Sequence, residues 1–364
     1  MIGVRQFVNL SMQFLMALTA AAPRASAATS GPPYRMPPES DPHERTFMQW
    51  PSRTAIHRNA LRTVQSCVAS IARTVARFEP VVMLADPRDA ESAAAAPGSG
   101  FALWPVATDD LWCRDSGPIF VRSQTGELAV ADFGFNGWGN KQSHGEDRQI
   151  ARRVADTMRL PVFRAAVTGE GGGIETDGAG TGLAHESCWL NRNRNPGTKS
   201  DLEAGLRAAL GVEHMIWAPG VRGADITDFH IDALARFVRP GLIVIQLPDR
   251  IDSGDPWSAA AFETYDILKQ ARDAQGRKPE IVVIPEPVRI RSRSRDFVDS
   301  YVNYYVCNGA VIAAEFGDDK ADAKAASILG TLYPGRQIIS LNVDPLGEAG
   351  GGIHCATQQQ PAGR

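Results

Sequence analysis

A histidine and an aspartate occupy alternate positions in His230-Ile231-Asp232, at the start of a largely apolar run. This alternation predicts a strand over residues 230–238 whose polar face carries both side chains. A histidine beside a carboxylate suits proton transfer and cation binding. The same spacing could hold a metal ion or form a solvated salt bridge at a sheet edge.

A single cysteine follows a run of glycines in Gly350-Gly351-Gly352-Ile353-His354-Cys355. Glycines let the backbone approach a ligand closely, so Cys355 stands where a sulfur atom could meet a substrate. The thiolate, and not the thiol, acts as a nucleophile. The pKa of the thiol must therefore be lowered, or a nearby cation must favour loss of its proton. The alternative is a buried structural cysteine, which is the commoner case.

Carboxylates and an aromatic ring are concentrated in residues 109–118, which end in a turn signal. Trp112 could stack on a planar cation, and Asp115 could accept two hydrogen bonds from a guanidinium group. Alternatively, Asp115 caps a turn and Arg114 pairs with a neighbour. Glu170, in a second glycine-rich loop, is a further carboxylate. Together these residues indicate one planar, cationic substrate.

Strands and helices alternate along the chain, so the elements that position these residues belong to the α/β class. Residues 58–78 have apolar positions at steps of three and four, which predicts an amphipathic helix. Further helices are predicted around residues 147–158, 199–210, 258–274 and 320–332. Strands are predicted at residues 81–85, 118–121, 128–133, 181–190, 230–238, 242–247, 280–285, 301–307 and 310–315.

The chain also repeats itself. Phe120-Val121 leads to Asp132-Phe133-Gly134, as Tyr305-Val306 leads to Glu315-Phe316-Gly317. Glycine-rich loops follow in the same order, at residues 169–174 and 347–353. The offset of about 180 residues in both cases predicts a repeated supersecondary unit. Loops from a pseudo-symmetric ring of such units would converge at its centre.

Composition limits the function classes. The 364 residues are 43% hydrophobic and 22% charged, as in an ordinary globular protein, and the net charge is −3. This charge gives no basis for a nucleic-acid or anionic-membrane partner. Five cysteines leave at least one unpaired within the chain, and the absence of a CxxC pair removes support for a zinc-finger or thioredoxin-like reading.

The N-terminus is typical of a signal peptide. An apolar run over residues 7–22 precedes the small-residue cleavage site Ala25-Ser26-Ala27. We therefore expect a signal peptide over residues 1–27, a linker over 28–35 and a catalytic domain over 36–361, with export to the periplasm or medium. The alternative is an alanine-rich tail.

Several segments resemble the agmatine deiminase and bacterial, Porphyromonas-type peptidylarginine deiminase family. The resemblance runs from Met36 almost to the C-terminus. It rests on residues 36–51, 110–118, 135–139, 170–172, 191–196 and 351–361, which fall in the order of the family's motifs. The last of these, with Cys355, is the most specific.

The resemblance implies the pentein fold, a five-bladed pseudo-symmetric α/β propeller with the site in its central channel. It also implies a reaction that needs no metal or organic cofactor. The implied roles are Cys355 as nucleophile, His230 as general acid and base, Asp115 and Asp232 as carboxylates that grip the guanidinium, Glu170 as a further carboxylate and Trp112 as a substrate contact.

The implied function is that of an agmatine deiminase, which hydrolyses agmatine to N-carbamoylputrescine and ammonia in putrescine biosynthesis. The first alternative is the same chemistry on peptidyl-arginine. Alternatives from other classes are a metal hydrolase using His230, Asp232, Glu170 and a second histidine, and a periplasmic binding protein for a cationic solute. The expected partner is a small guanidine or an arginine peptide, with neither nucleic acid nor membrane; an oligomer is allowed.

Two residues depart from the agmatine-type pattern Asp-Glu-Thr-Asp-Gly-His-Val-Asp. Ile226 stands at the position of the glutamate, and Phe229 at that of the glycine beside His230. Phe229 is expected to narrow the pocket. Without the glutamate, a buried far ammonium of agmatine needs another acidic partner, and Asp225 or Asp228 is expected to serve.

Overall fold

The computed structural model describes residues 33–52, 58–96, 98, 100–294 and 297–363. The predicted signal peptide and residues 28–32 of the predicted linker lie outside them. The last two linker residues, Tyr34 and Arg35, instead form a short strand opposite Ser123 and Arg122. The described strands therefore include two residues that were assigned to the linker.

The strands and helices are numbered in chain order. The strands are β1 (Tyr34–Arg35), β2 (His43–Gln49), β3 (Val81–Ala85), β4 (Ala102–Pro105), β5 (Ile119–Ser123), β6 (Leu128–Asp132), β7 (Val162–Arg164), β8 (Ile174–Thr176), β9 (Thr181–His185), β10 (His214–Ala218), β11 (Ala235–Arg239), β12 (Leu242–Leu247), β13 (Glu280–Pro285), β14 (Tyr305–Cys307), β15 (Ala310–Glu315), β16 (Gln337–Asn342) and β17 (Thr357–Pro361). The helices are α1 (Arg58–Val75), α2 (Ala90–Ala94), α3 (Cys113–Ser116), α4 (Gly137–Asn140), α5 (Ile150–Met158), α6 (Glu186–Trp189), α7 (Lys199–Leu210), α8 (Pro256–Gln270), α9 (Asp319–Leu332) and α10 (Asp344–Gly347).

Within the described residues these strands form five sheets built on one plan. In each, an antiparallel pair is extended by a strand parallel to its second member, and a helix connects the two parallel strands. The core strands are β5-β6-β7, β8-β9-β10, β11-β12-β13, β14-β15-β16 and β17-β2-β3. The predicted repeat is therefore real, and the two hairpins that revealed it, β5-β6 and β14-β15, belong to two of five such units.

The fifth sheet joins the two ends of the described chain, because β17 pairs with β2. Its last strand is β4, which lies parallel to β3. Every sheet thus ends in a parallel edge strand, namely β4, β7, β10, β13 or β16. The loops that follow these five strands carry the residues discussed below.

Helix α7 illustrates how the sequence sets its own boundaries. The Thr198 side chain accepts a hydrogen bond from the Asp201 amide and the Asp201 carboxylate accepts one from the Thr198 amide, which forms a capping box at the helix start. Gly211 ends the helix in the left-handed conformation at φ 70°. The predicted limits, residues 199–210, are confirmed.

The strand predicted over residues 230–238 is wrong in its first half. Residues Ile231–Ala233 form a 3-10 turn, and β11 begins only at Ala235. The Leu234 amide donates to the Ile231 carbonyl 2.9 Å away, so the backbone closes on itself here instead of pairing with a neighbouring strand. The alternating apolar residues of this segment are buried in a turn and in the strand that follows it, and not in one continuous strand.

Two other predicted strands are shorter than expected. The strand predicted over residues 181–190 ends at His185, where α6 starts, and that over residues 301–307 is limited to β14. Residues 301–304 are buried loop. Their apolar side chains enter the core without strand geometry.

None of the helices in the described part of the chain combines the length and the apolar character needed to cross a membrane.

Candidate active site

The residues of the candidate site lie in the segments that follow the five edge strands, and all but Asn303 were predicted from the sequence. One loop of each sheet contributes, which is why residues far apart in sequence can meet. Asp115 follows β4, Glu170 follows β7, His230 and Asp232 follow β10, Asn303 follows β13, and Cys355 follows β16.

Gly172 marks the point where three of these side chains meet. A Cβ atom placed on Gly172 would lie 2.8 Å from Asp115 Oδ1, 2.8 Å from His230 Nδ1 and 3.0 Å from Asp232 Oδ2. No larger residue fits, and the Gly172 amide donates a hydrogen bond to Asp115 Oδ1 at 3.1 Å. The glycine-rich loop therefore brings its backbone into the middle of the site.

Both ring nitrogens of His230 face carboxylates. Nδ1 lies 3.6 Å from Asp115 Oδ1, and Nε2 lies 3.3 Å from Glu170 Oε2. Burial alone would lower the pKa of His230, but Asp115, Glu170 and Asp232 outweigh it and raise that pKa to about 9. His230 is therefore an imidazolium at neutral pH, with a proton available for a leaving group.

The thiol of Cys355 is half-buried beside Asn303 and Asp232. The Asn303 amide nitrogen lies 3.2 Å from Cys355 Sγ, and Asp232 Oδ2 lies 3.8 Å from it. Burial, followed by the charges of Asp232 and Asp115, raises the pKa of this thiol well above its ordinary value. A cation placed among these carboxylates would reverse the effect and favour the thiolate.

Asp115 and Asp232 differ in how their oxygens are engaged. Asp115 Oδ2 accepts a hydrogen bond from Trp138 Nε1 at 2.9 Å, and burial raises the pKa of this carboxyl to about 6. Asp232 is fully buried and its Oδ2 accepts from His354 Nδ1 at 2.7 Å. Asp232 Oδ1 is buried and has no hydrogen-bond partner among the described residues, whereas Oδ2 is the oxygen closer to Cys355 Sγ.

Glu170 is compensated by a buried arginine. Arg194 Nε lies 2.8 Å and 3.0 Å from the two Glu170 oxygens, and its Nη1 lies 2.8 Å from Asp228 Oδ2. Burial opposes ionisation, yet the contacts with His230 and Arg194 lower the pKa of Glu170 below its usual value. Glu170 is therefore a permanent anion beside His230.

The structure corrects the role predicted for Asp228. Its carboxylate is 1% exposed and pairs with Arg194 and with Lys141 Nζ, each at 2.8 Å. These charges are already neutralised, so Asp228 holds the loop together and is not free to bind a distant ammonium. Asp225 is half-buried and its Oδ1 caps the same loop by accepting from the Thr227 and Phe229 amides; a substrate contact for it stays a prediction.

The expectation that Phe229 narrows the pocket is also wrong. Its ring packs in the core and stacks on His185, with ring centroids 4.5 Å apart. Its backbone has φ 71°, in the left-handed region that glycine adopts without strain. Phe229 thus keeps the backbone shape of the family's glycine and sends its side chain into the core.

Trp112 is buried next to the glycine run that precedes Cys355. A Cβ atom on Gly351 would lie 2.4 Å from the Trp112 ring, so this glycine is required for the ring and the loop to pack together. Arg114 follows the alternative reading and pairs with a neighbour, Glu39. A stacking contact between Trp112 and a substrate stays a prediction.

Sequence reasoning missed several residues that contact the site. Most of these residues lie in segments that are cited above only for their resemblance to the family. Their chemical types were the signal that could have identified them as site residues. Asn303 lies in no such segment and nothing in the sequence singled it out. The missed residues are Glu39, Trp138, Arg194, Asn303 and His354.

Comparison with known proteins adds to this geometry. The sequence model of the Porphyromonas-type peptidyl-arginine deiminase family matches residues 35–361. A putative agmatine deiminase of Streptomyces coelicolor is 40% identical over 338 residues, which cover 90% of this chain and 99% of that protein. An agmatine deiminase of Pseudomonas aeruginosa is 36% identical over 357 residues, covering 91% and 96%.

The fold has relatives among solved structures. The agmatine deiminase of Enterococcus faecalis superposes with a TM-score of 0.84 at 27% identity, covering 90% of this chain and 96% of that one.

Proposed function

The chain belongs to the Porphyromonas-type peptidyl-arginine deiminase family, and we propose that its site deiminates agmatine with Cys355 as the nucleophile. The resemblance predicted from the motifs is confirmed, and so is the predicted enzyme class, a hydrolase acting on C–N bonds. Membership of this enzyme class replaces the binding-protein and metal-hydrolase alternatives.

The observation that carries the proposal is Asp232 Oδ1, a buried carboxylate oxygen without a partner among the described residues. It lies in a site that also contains Asp115 and Cys355. A buried carboxylate oxygen without a donor is unfavourable. A planar guanidinium supplies the missing hydrogen-bond donor and positive charge together.

Catalysis begins with binding of the guanidinium between Asp115 and Asp232. Its charge lowers the pKa of the Cys355 thiol, and the thiol proton passes to water. Cys355 Sγ then attacks the guanidinium carbon, which gives a neutral tetrahedral adduct. His230 donates its proton to one nitrogen, the C–N bond breaks, and ammonia leaves behind an amidino-thioether cation.

Hydrolysis of the thioether uses the same histidine as a base. Neutral His230 takes a proton from a water molecule, whose oxygen attacks the same carbon. The second tetrahedral adduct releases the Cys355 thiolate by cleavage of the C–S bond, and its hydroxyl proton is lost as the ureido carbonyl forms. The balance is one guanidinium and one water converted to one urea and one ammonium ion.

Agmatine is the proposed substrate and N-carbamoylputrescine the product, which places the enzyme in putrescine formation. Relatives named agmatine deiminase match the chain nearly from end to end. One observation favours an arginine peptide instead: Ile226, where the agmatine-type pattern has a glutamate, is 38% exposed and offers no charge to a far ammonium.

A colour assay for ureido products distinguishes the substrates. Catalytic efficiency is measured for agmatine, free arginine and a blocked arginine peptide, in the wild type and in Ile226→Glu. We expect agmatine to give the highest efficiency in the wild type. A wild type that prefers the peptide, together with an agmatine gain confined to Ile226→Glu, would replace agmatine by peptidyl-arginine.

We further propose that the five units stand around one centre as the blades of a propeller. Support comes from the five edge-strand loops, each of which supplies a side chain to the same site, and from the pairing of β17 with β2 at the two ends of the chain. A crystal structure in which the sheets do not surround a common axis would reject this arrangement.

Export remains a proposal as well, supported by the apolar run and the Ala25-Ser26-Ala27 site. Mass spectrometry of the protein purified from its own cells should find an N-terminus close to residue 28. An intact Met1 would contradict export through this signal.

A further inference from the structure

One segment of the family resemblance, residues 36–51, has no part in the reaction above, and it supplies a carboxylate that contacts residues of the site. Glu39, from the opening motif, accepts hydrogen bonds at Oε2 from Arg114 Nη2 at 3.0 Å and from His354 Nε2 at 2.8 Å. Arg236 Nη2 lies 3.0 Å from the same oxygen. Glu39 Oε1 accepts from the Val306 amide at 2.8 Å. Both oxygens of Glu39 are thus fully engaged.

His354, the residue before Cys355, bridges Glu39 to the site. Its Nε2 faces Glu39 and its Nδ1 lies 2.7 Å from Asp232 Oδ2, while the side chain is 2% exposed. A neutral imidazole has one N–H and one acceptor nitrogen. Two short contacts to carboxylate oxygens are therefore both hydrogen bonds only when both ring nitrogens carry hydrogen.

The local charge balance supports the same state. Three carboxylates belong to this group. Glu39 and Asp232 contact the His354 ring, and Glu175 pairs with Arg236 Nε at 2.9 Å. Arg114 and Arg236 supply two positive charges. Buried charges are stable only when paired, and a protonated His354 supplies the third. With His354 protonated, the three carboxylates and the three cations of this group balance in charge.

The contact between His354 Nδ1 and Asp232 Oδ2 fixes the orientation of the Asp232 carboxylate. Because Oδ2 is held by His354, Oδ1 is the oxygen left without a partner among the described residues. The His354 backbone is fixed as well, since its amide donates to Asn303 Oδ1 at 3.0 Å. The same Asn303 contacts Cys355 Sγ. Cys355 and Asp232 are therefore both held by contacts with residues 354–355 and Asn303.

We propose that His354 is a positioning residue, a doubly protonated imidazole that bridges Glu39 to Asp232 and holds the Asp232 carboxylate in place for the substrate guanidinium. It does not touch the reacting atoms and acts only through Asp232. This role rests on the proposed function, because it assumes that a guanidinium binds Asp232.

Two variants of similar polarity separate the two contacts of the ring. In His354→Asn the amide nitrogen stands close to the position of Nδ1, so the bond to Asp232 is kept and that to Glu39 is lost. In His354→Gln the amide reaches the position of Nε2, so the bond to Glu39 is kept and that to Asp232 is lost. Glu39 retains Arg114 and Arg236 in both variants.

We expect His354→Gln to lower kcat/KM for agmatine about 10- to 100-fold, the loss typical of a hydrogen bond to a charged group. His354→Asn should stay within about threefold of the wild type, because the bond to Asp232 survives. A purely structural role predicts equal kinetics for the two variants at equal melting temperature. Equal values of kcat/KM would therefore overturn the proposal.

Neutron diffraction on the wild-type crystal at neutral pH tests the same claim without any variant. Deuterium on both ring nitrogens of His354 is expected, and deuterium on one alone would overturn the proposal even if the variants failed to fold. A wild type that does not convert agmatine, with both nitrogens deuterated, would contradict the proposed substrate and leave the bridge intact.

Discussion

The loop that carries His230 and the loop that carries Cys355 are held in opposite ways. In the His230 loop, Asp228 and Phe229 have φ 62° and 71°, a region unfavourable for side chains other than glycine. Ion pairs hold it there, from Arg194 and Lys141 to Asp228. In the Cys355 loop the residue with a positive φ is Gly350, and glycine adopts this conformation without strain.

The backbone next to Cys355 is fixed by neutral hydrogen bonds, while the charged contacts of its loop are those of His354 with Glu39 and Asp232. Asn303 Oδ1 accepts from the His354 amide, and the Arg114 amide donates to the Cys355 carbonyl at 3.0 Å. The difference follows from the charge each residue needs. An imidazolium is stabilised by the anions that Arg194 partly balances, whereas the Cys355 sulfur becomes a thiolate only with substrate bound, and its partners are the neutral Asn303 amide and the Asp232 carboxylate.

Replacing the nucleophile should have the largest effect on activity. Cys355→Ser removes the thiol but changes neither backbone nor charge, so we expect turnover to fall by about 10⁴-fold or more. The melting temperature should remain close to that of the wild type, since the thiol makes only weak contacts. The colour assay and a thermal melt check both statements.

A buried cysteine outside the site provides the control. Cys188, with its sulfur 3.3 Å from the His185 carbonyl oxygen, is buried in another cluster. Cys188→Ser should leave kcat/KM nearly unchanged. Residual activity of Cys355→Ser within tenfold of the wild type would remove Cys355 from the mechanism.

Removing the cation that holds the His230 loop should have the largest effect on stability. Arg194→Met leaves Glu170 and Asp228 buried without their shared partner, and we expect a loss of about 3–5 kcal/mol in the free energy of unfolding. Lys141→Met is the matched control. Lys141 is partly exposed, so its removal should cost about 1 kcal/mol. Urea titration of both variants measures the difference, and equal losses would show that burial of the cation is irrelevant.

The pH dependence of stability should reveal the charge of His230. The folded-state pKa of about 9 lies above the ordinary value of 6.5. A raised pKa contributes stability that is complete below about pH 6.5 and is lost as the pH rises through about 9. We expect this contribution to fall by on the order of 3 kcal/mol over that interval. The fall should be missing in His230→Gln, and a parallel decline in both proteins would assign it to other groups.

Much of the fold was predictable because local patterns agree with the tertiary structure. The capping of α7 and the buried runs of β3 and β12 appear directly in the sequence. The turn at Ile231–Ala233 was mistaken for a strand because alternating burial has the same pattern in both. Two units of the repeat were found because their loops share glycines, while the other three share only strand order.

The site was predictable to the extent that chemical type indicates role. Cys355, His230, Asp115, Asp232 and Glu170 were selected by type and motif, and the structure brings them together. Asp228 could not be assigned correctly, because its partner Arg194 becomes a neighbour only through the fold. Asn303 and Glu39 were missed for the same reason: each contacts the Cys355 segment from loops remote in sequence.

The smallest expected effect tests whether the Cys355 loop depends on glycine geometry alone. Gly350 has φ 97°, and a Cβ atom there would meet nothing within 4 Å. Gly350→Ala therefore adds backbone strain without a clash, and we expect a loss of about 1–2 kcal/mol in the free energy of unfolding. Gly145 also has open space around it but no left-handed backbone. Gly145→Ala should be neutral or stabilise by up to about 1 kcal/mol, because alanine restricts the unfolded chain. Opposite signs in urea titration would establish that the positive φ, and not packing, makes Gly350 necessary. Two variants of equal stability would mean that the Cys355 loop relaxes to accept alanine, and its geometry would then depend on Asn303.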